Sequence, residues 1–486
     1  MLFKTWLYAL AVFVIGATLP ARATDWPLFD FDSARSGFNP MERTLTVRNV
    51  HRLRVHWQTA LGAVADSAPI LLDHVGTGRT NGPMLFETTT TGITLGIGAM
   101  TGRILWKFES HGTTLTNSTP AADPSGLYIY AAGADGKVYK LSAATGRQAP
   151  SPGFPARITH LPLTEKNSSA LNVANGYLYA VTAGHYDTPP YDGHVVAVRL
   201  SDGQTTIFNT LCSSYRKLVR ALTCSQQRSG IWGRGGAVVD PDASMDRRIY
   251  VTTGNGDFDA NSGGDDYGDS VVALQPDLSD VLGSYTPTNY QQLDAGDTDL
   301  GSSSPAILPD QPNSQTPYLL VQGGKDGVLR LLNRQALPGV GNELQELDLP
   351  GGLFSTPAVW ADSGGSAWIF MGFTNVVEAY RLETGAAGVS KLVSAWQDIG
   401  GESYGDGSSP VVANGIVFVA FDHAILAVDA RNGRLLWNSA AYGAPDSIGA
   451  IHWESPIVVN GWLYCSDQRG VLTGFSLQAA TSAVRN

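Results

Sequence analysis

Short apolar runs, each ended by small or turn-forming residues, recur along the chain from about residue 60 onward. The clearest copy starts at Ser408-Ser409-Pro410, continues through the apolar runs 416–420 and 425–429, and ends in Leu435-Leu436-Trp437. Asn-Gly pairs at 414–415 and 432–433 separate these runs, and such pairs favour hairpin turns. The pattern predicts short antiparallel strands joined by tight turns, and no long helix.

The phrase that opens each copy, a small-residue cluster around Ser-x-Pro, occurs eight times. Copies lie near Ser67, Ser118, Ser168, Gly235, Ser303, Ser355, Ser408 and Ser455. Intervals are roughly 50 residues, apart from two longer ones of about 67, and four short strands in such an interval is the periodicity of a β-propeller. We therefore expect eight blades.

The two ends of the chain favour a closed ring over an open solenoid. The last copy ends at Leu477 without the strand that carries Leu-x-x-x-Trp elsewhere, whereas Leu53 to Trp57 supplies such a strand before the first copy. The sequence thus predicts an all-β, eight-bladed propeller of four-stranded antiparallel blades. One domain would cover residues 24–486, with an N-terminal strand closing the last blade.

The first 23 residues have the pattern of a signal peptide. Lys4 is followed by an apolar run over residues 6–17 and by Ala21-Arg22-Ala23, which fits cleavage after Ala23. A retained membrane anchor is the alternative, although the run is short for a span. No later segment approaches membrane-spanning length, so we expect a periplasmic or secreted protein with no membrane span in the mature chain.

The net charge limits the kinds of partner that the protein can bind, and the cysteines indicate a possible disulfide. Asp and Glu number 43 against 32 Lys and Arg, and a net acidic surface argues against nucleic acid as a partner. In an oxidising compartment Cys212 and Cys224 could pair across a short loop, whereas Cys465 lies in an apolar run as a buried thiol. No Cys-x-x-Cys-His motif for haem attachment occurs.

The segment Ala99-Met100-Thr101-Gly102-Arg103-Ile104-Leu105-Trp106 resembles the tryptophan-docking repeat of quinoproteins, the propellers related to dehydrogenases that use pyrroloquinoline quinone (PQQ). The stretch from Trp26 to Asn39 is also similar to the family's N-terminal segment. The resemblance implies a quinoprotein alcohol dehydrogenase-like propeller. The family also includes non-catalytic scaffolds, so the repeat alone does not establish chemistry.

Two segments resemble the family's metal and catalytic positions. Residues 250–256 are similar to a strand ending in Gly-Asn, which implies that the amide oxygen of Asn255 binds calcium, a cation that takes oxygen ligands. Residues 294–299 are similar to Asp-x-x-Trp-Asp-x-Asp, with Gly296 in place of Trp. This implies a catalytic base at Asp297, which would also bind the metal, and a lanthanide ligand at Asp299. Alternation on an extended chain would point both carboxylates to one side.

Two further positions would contact the quinone. Residues 323–327 resemble the segment whose cation binds the quinone oxygens, which implies a catalytic and cofactor-binding Lys325. Trp232 is a candidate floor for a flat cofactor, although its register is slightly displaced. The family's acidic ligand on an earlier blade is missing around residues 183–187, where Asp187 could substitute. The disulfide ring of two adjacent cysteines, which lies over the quinone in the family, is missing from this sequence too.

Ordinary structural explanations exist for each of these motifs: a strand-end turn, a solvated acidic loop, a hairpin with an exposed lysine, and a core tryptophan. Two functions therefore remain open. The chain is either a dehydrogenase dependent on PQQ and on calcium or a lanthanide ion, or a non-catalytic scaffold or binding protein of the cell envelope. The enzyme would oxidise a small-molecule alcohol or sugar and pass electrons to a separate acceptor such as a cytochrome c.

Overall fold

The structure is a computed structural model of the chain. It describes residues 23–76, 81–112, 114–220, 223–224, 228–400, 407–443 and 447–478. Residues 1–22 of the predicted signal peptide lie outside the described residues.

Eight β-sheets of the described residues follow one another around a central axis, so the protein is an eight-bladed β-propeller. Each blade begins with a strand next to the axis, and successive strands pair antiparallel toward the outside. The blades are numbered 1 to 8 in chain order. Blade 1 contains Ile70–Gly76, Asn81–Thr88, Ile93–Gly98 and Ile104–Glu109; blade 2 contains Ala121–Ala122, Tyr128–Ala132, Lys137–Ser142 and Ala156–Arg157.

The remaining blades follow the same order. Blade 3 contains Glu165–Asn167, Asn172–Ala174, Tyr177–Gly184, His194–Arg199 and Thr205–Asn209; blade 4 contains Val238–Val239, Ile249–Thr252, Val271–Leu274 and Val281–Thr286. Blade 5 contains Ala306–Ile307, Leu319–Gln322, Val328–Asn333 and Gln345–Asp348; blade 6 contains Ala358–Ala361, Ala367–Gly372, Val376–Thr384 and Ser390–Ile399. Blade 7 contains Val411–Ala413, Ile416–Phe421, Ala424–Asp429 and Leu435–Asn438; blade 8 contains Ile457–Val459, Trp462–Asp467, Val471–Leu477 and Leu53–Ala60.

Three blades depart from four plain strands. The axial edge of blade 3 is split, because Glu165–Asn167 and Asn172–Ala174 both pair with its second strand. Short parallel strands extend blade 4 at Gly339–Val340 and blade 7 at Phe38–Asn39. The helices of the described residues are short: one α-helix, Tyr290–Gly296, and 3₁₀ turns at Val50–Arg52, Ala243–Met245, Ala260–Ser262, Leu300–Ser302 and Ser439–Tyr442.

The expected closure of the ring is confirmed. Leu53–Ala60 pairs antiparallel with Val471–Leu477, placing Trp57 opposite Gly474. Both chain ends thereby share blade 8. The outermost strand of blade 8 comes from the N-terminal part of the chain, and its other strands come from the C-terminal part. The ring therefore cannot open without breaking the hydrogen bonds between them.

Tryptophans on outer strands connect successive blades, which explains the spacing of the repeat. The indole N–H of Trp57 in blade 8 donates to the carbonyl of Ala99 in blade 1 (3.0 Å), and Trp106 in blade 1 donates to Ala143 in blade 2 (2.9 Å). A Cβ at Gly102, three residues after Ala99, would overlap the Trp57 ring. The glycine of the repeat therefore makes room for the tryptophan of the preceding blade.

The segment 25–39 crosses the axis and ties inner strands together. Backbone bonds join Trp26 to Leu71 of blade 1, and the carbonyl of Gly37 accepts from blade 7. The buried guanidinium of Arg35 donates to the carbonyls of Phe29, Leu171 and Gly235 at 2.9–3.0 Å. The described N-terminal segment is thus a plug held by buried hydrogen bonds.

Cys212 and Cys224 form the expected disulfide, and Cys465 is a buried free thiol. The bond clips the insertion between blades 3 and 4, and its presence is typical of an oxidising, extracytoplasmic compartment. Within the described ranges, no helix is long and apolar enough to cross a membrane.

Candidate functional site

A cavity of about 630 Å³ opens on the propeller axis. Its lining comes from segments just before inner strands and just after second strands. These points meet at one end of the ring, because neighbouring strands of a blade are antiparallel. The lining includes charged, aromatic and apolar groups: Asp66, Asn117, Lys166, Asp187, Tyr191, Trp232, Arg234, Asp299, Lys325, Phe354, His452 and Trp453.

Lys325, Asp299, Asp297 and Asn255 meet at one side of this cavity. The ammonium Nζ of Lys325 lies 2.5 Å from Oδ2 of Asp299 and 3.1 Å from Oδ1 of Asp297. The side-chain amide of Asn255 donates to Asp297 (3.2 Å), and its backbone N–H donates to Asp299 (2.9 Å). Four residues that the sequence singled out from three separate segments therefore contact one another.

The local backbone differs from the expected extended chain at 297–299. Asp297 has a left-handed conformation (φ 51°) at the end of Tyr290–Gly296, and Asp299 precedes the 3₁₀ turn Leu300–Ser302. The expectation of two carboxylates alternating on a strand was wrong. The helix end and the turn bring both carboxylates to Lys325, yet they differ in environment: the side chain of Asp297 is 77% exposed and that of Asp299 10%.

The charge balance in this cluster explains the protonation of Lys325. Burial alone would lower the pKa of its ammonium, but the carboxylates of Asp299 and Asp297 outweigh burial and raise that pKa above the ordinary value. Behind the cluster, Asp269 accepts from the backbone N–H of Leu300 (3.0 Å). Burial, with Asp299 nearby, raises the pKa of Asp269 to about 8.

Asp187 lines the same cavity but has a different partner. Its carboxylate accepts a hydrogen bond from the hydroxyl of Tyr191 (2.8 Å). In the part of the chain that the structure describes, no three His, Cys, Asp or Glu side chains are grouped so that they could hold a metal. Asp187 thus faces the cavity without completing a three-carboxylate centre around Asp297 and Asp299.

Trp232 forms an aromatic wall beside Lys325. Its ring centre lies 6.0 Å from that of Phe354 and 6.3 Å from that of Trp453, and the Lys325 Nζ lies 5.1 Å from it. Cations near an indole face are favourable. Trp232 is therefore a cavity residue and not part of a blade core.

A second polar cluster lies in the cavity, and sequence reasoning missed it. Nδ1 of His452 lies 3.0 Å from Oδ2 of Asp66, which also accepts from the amide of Asn117 (2.7 Å). Lys166 donates to the Asn117 carbonyl oxygen (2.7 Å), and Arg234 lies over the Trp453 ring (3.4 Å). Burial would raise the pKa of Asp66, but His452, Arg234 and Lys166 hold it below its usual value.

The repeat itself carried the signal for this cluster. Asp66, Asn117 and Arg234 each stand immediately before a copy of the opening phrase, and Glu454 stands immediately before another. Asp66, Asn117 and Arg234 all line the cavity. Polar residues there, where a plain scaffold needs none, were the observable sign of a cavity.

The donor set can be compared with what PQQ and a hard cation require. Oδ1 of Asn255 is buried and has no hydrogen-bond partner among the described residues, which leaves an oxygen available to a cation. Lys325, Lys166 and Arg234 together with the indoles of Trp232 and Trp453 suit a flat, anionic aromatic molecule. The residues therefore fit such a cofactor, with the metal ligands limited to Asn255, Asp297 and Asp299.

Comparisons with known proteins agree with the propeller repeat. A family model described as outer membrane protein assembly factor BamB matches residues 53–221. The sequence has no significant match among curated proteins.

Solved structures of quinoproteins superimpose on nearly the whole chain. A quinohemoprotein alcohol dehydrogenase from Comamonas testosteroni has a TM-score of 0.67 at 15% identity, covering 94% of this chain and 81% of its own. A europium-containing methanol dehydrogenase has a TM-score of 0.65 at 15% identity, with coverages of 93% and 98%. BamB from Moraxella catarrhalis has a TM-score of 0.53 at 13% identity, with coverages of 88% and 98%.

At these identities the structural likeness establishes the fold. Together with the matching repeat, it confirms the resemblance to the PQQ-repeat propeller family, whose fold this chain shares with quinoprotein alcohol dehydrogenases and with BamB.

Proposed function

We propose that this chain is an exported dehydrogenase that binds PQQ and a calcium or lanthanide ion in the axial cavity and oxidises an alcohol or sugar hydroxyl. The observation that carries the proposal is the contact of Asn255, Asp297, Asp299 and Lys325 beside Trp232. The described disulfide supports an extracytoplasmic location, either periplasmic or secreted.

Each residue has a role that follows from its environment. The Oδ1 of Asn255 and the carboxylates of Asp299 and Asp297 would hold the metal, the first two through largely buried oxygens. Asp297, the exposed carboxylate, is open to substrate and would accept the hydroxyl proton. Lys325 would stabilise negative charge on the quinone oxygens, and Trp232 would pack against the ring.

When bound, the quinone would supply a two-electron acceptor and the metal a Lewis acid. The sequence offers no haem attachment motif. A separate acceptor, such as a cytochrome c, would therefore remove the electrons.

A second candidate is a non-catalytic scaffold or binding protein of the cell envelope. Lys325 already neutralises one of the two carboxylates in its cluster, and Asp187 hydrogen-bonds Tyr191. The cavity lining as a whole carries three carboxylates against the cations of Lys166, Arg234 and Lys325, so its charges do not require a metal.

Reconstitution separates the two candidates. The mature chain should be incubated with PQQ and calcium or lanthanum, then assayed for bound quinone absorbance, tryptophan quenching and dye reduction with a panel of alcohols and sugars. Stoichiometric quinone binding with dye reduction supports the dehydrogenase. Asp299→Ala should lose both, whereas Asp280→Ala, at an exposed position, should keep them. Absence of quinone binding with either metal would favour the scaffold.

A further inference from the structure

The side chain of Lys166 reaches into the axial cavity from the inner edge of blade 3. It lies in Glu165–Asn167, the residue is half-buried, and its Nζ donates to the Oδ1 of Asn117 (2.7 Å). At the quinone site this amine was counted only among the cations that suit an anionic molecule, and no step of the proposed oxidation uses it. We propose that Lys166 is a carbonyl-capturing nucleophile, which condenses with small aldehydes or keto acids that enter the cavity.

The charges around Lys166 favour its neutral, nucleophilic form. Burial disfavours the ammonium, and the guanidinium of Arg234, which lines the same cavity, adds repulsion. The carboxylates of Asp66 and Asp187 oppose this but do not outweigh it, so the pKa of Lys166 falls to about 8. Desolvation beside a second cation is the arrangement that activates imine-forming lysines.

The opposite situation holds for Lys325, the other lysine of the cavity. Two carboxylates contact its ammonium and raise its pKa. At pH 7 roughly a tenth of an amine with a pKa near 8 is neutral, against less than about a thousandth of an ordinary lysine. The cavity therefore contains one lysine poised for attack and one kept charged.

The condensation balances without an oxidant. The neutral Nζ attacks the carbonyl carbon, the C–N bond forms as the C=O π bond breaks, and one proton passes from nitrogen to oxygen to give a carbinolamine. That hydroxyl then leaves as water with a second proton while nitrogen loses its remaining proton, leaving the imine. The Asp66–His452 pair is joined to Lys166 only through the Asn117 amide, which does not relay protons, so solvent water in the cavity exchanges them.

A carboxylate next to the carbonyl would strengthen capture. Arg234 and Lys166 both line the cavity, and an anionic substituent would reduce their mutual repulsion. Trp453, beneath Arg234, and Trp232 provide apolar walls. Glyoxylate should therefore react faster than glycolaldehyde, a neutral aldehyde of similar size.

Reductive trapping tests the proposal without PQQ or metal. The mature chain is treated at pH 7 with limiting glyoxylate and cyanoborohydride, and adducts are mapped by peptide mass spectrometry. We expect Lys166 to be labelled at least about tenfold faster than exposed Lys107 and Lys391, because far more of its amine is neutral. Lys325 should stay unlabelled, and Lys166→Arg, which keeps a cation, should abolish the fast adduct while retaining the circular dichroism spectrum.

Labelling of Lys166 no faster than Lys107 would overturn the proposal. So would preferential labelling of Lys325, or glyoxylate that binds in titrations without forming an adduct, since the site would then only bind anions. Because the assay contains neither quinone nor metal, its outcome is separate from that of the proposed dehydrogenase.

Discussion

The ammonium of Lys325 lies 2.5 Å from Asp299 and 3.1 Å from Asp297, so a single cation bridges the two carboxylates of the candidate site. Asp299 also accepts the backbone N–H of Asn255. This carboxylate therefore links the three segments that the sequence singled out.

Replacing Asp299 with Asn should weaken metal and quinone binding while the fold remains intact. The amide keeps the size and an acceptor for Asn255, but it removes a charged oxygen ligand, so we expect at least about a tenfold loss of terbium affinity. Luminescence titration and quinone absorbance measure the two effects, and a thermal melt checks folding. Unchanged affinity for both would remove Asp299 from the site.

Replacing Lys325 with Met should act in the opposite sense on the metal. Without the ammonium, Asp297 and Asp299 repel each other, and we expect terbium to bind about tenfold or more tightly. Quinone binding should weaken, because a cation near its oxygens is lost. Lys107→Met, on the surface, is the matched control. Weaker metal binding in Lys325→Met would show that the metal and the lysine do not compete.

Truncating Trp57 should destabilise the closed ring. The side chain is buried and its indole bonds Ala99, so Trp57→Ala should cost roughly 3–5 kcal/mol. Trp232→Ala should cost less, since that ring lines a cavity, but it should abolish quinone binding. Denaturant unfolding of the two variants would compare them. Equal stability losses would contradict the separation of core and site tryptophans.

The disulfide should contribute measurable stability. It closes a loop with a sequence separation of 12, and Cys212→Ser with Cys224→Ser should lower the unfolding free energy by roughly 2–3 kcal/mol. Mass spectrometry of unreduced protein from the exported fraction should find the two peptides linked. Under reducing conditions the wild type and the double variant should unfold alike. A difference that persists there would point to lost packing.

Glu87 should make stability fall as pH rises. The carboxyl is fully buried beside Ser466, and burial raises its folded-state pKa from 4.5 to about 8. Its stabilising contribution is thus complete below pH 4.5 and is lost as pH rises through 8. At pH 8 Glu87→Gln should be more stable than wild type, by on the order of 2 kcal/mol. Thermal melts from pH 5 to 8 test this, with Glu383→Gln at a partly exposed position as control. Parallel pH profiles for wild type and Glu87→Gln would contradict the assignment.

The sequence by itself determined the architecture, because the signals for it are local. The structure of one blade was predicted by its apolar runs, its Asn-Gly turns and a Trp at a fixed offset from a Gly. The number of copies of this pattern predicted the number of blades. The displaced strand around Trp57 predicted the closure, because the last copy of the repeat lacks the strand that this segment carries. The Cys212–Cys224 pairing followed from a short loop and the expectation of export.

The chemistry of the cavity was decided by the tertiary structure. Family resemblance nominated Asn255, Asp297 and Lys325 separately, but only the packing of blade 4 beside blade 5 brings their loops into contact. The pairing of Asp66 with His452 joins residues 386 positions apart, a separation at which no sequence periodicity operates. Long-range neighbours decide whether the charged form of a cavity lysine is stabilised, as in Lys325, or disfavoured, as in Lys166. Charge interactions follow distance in space and not position in the chain.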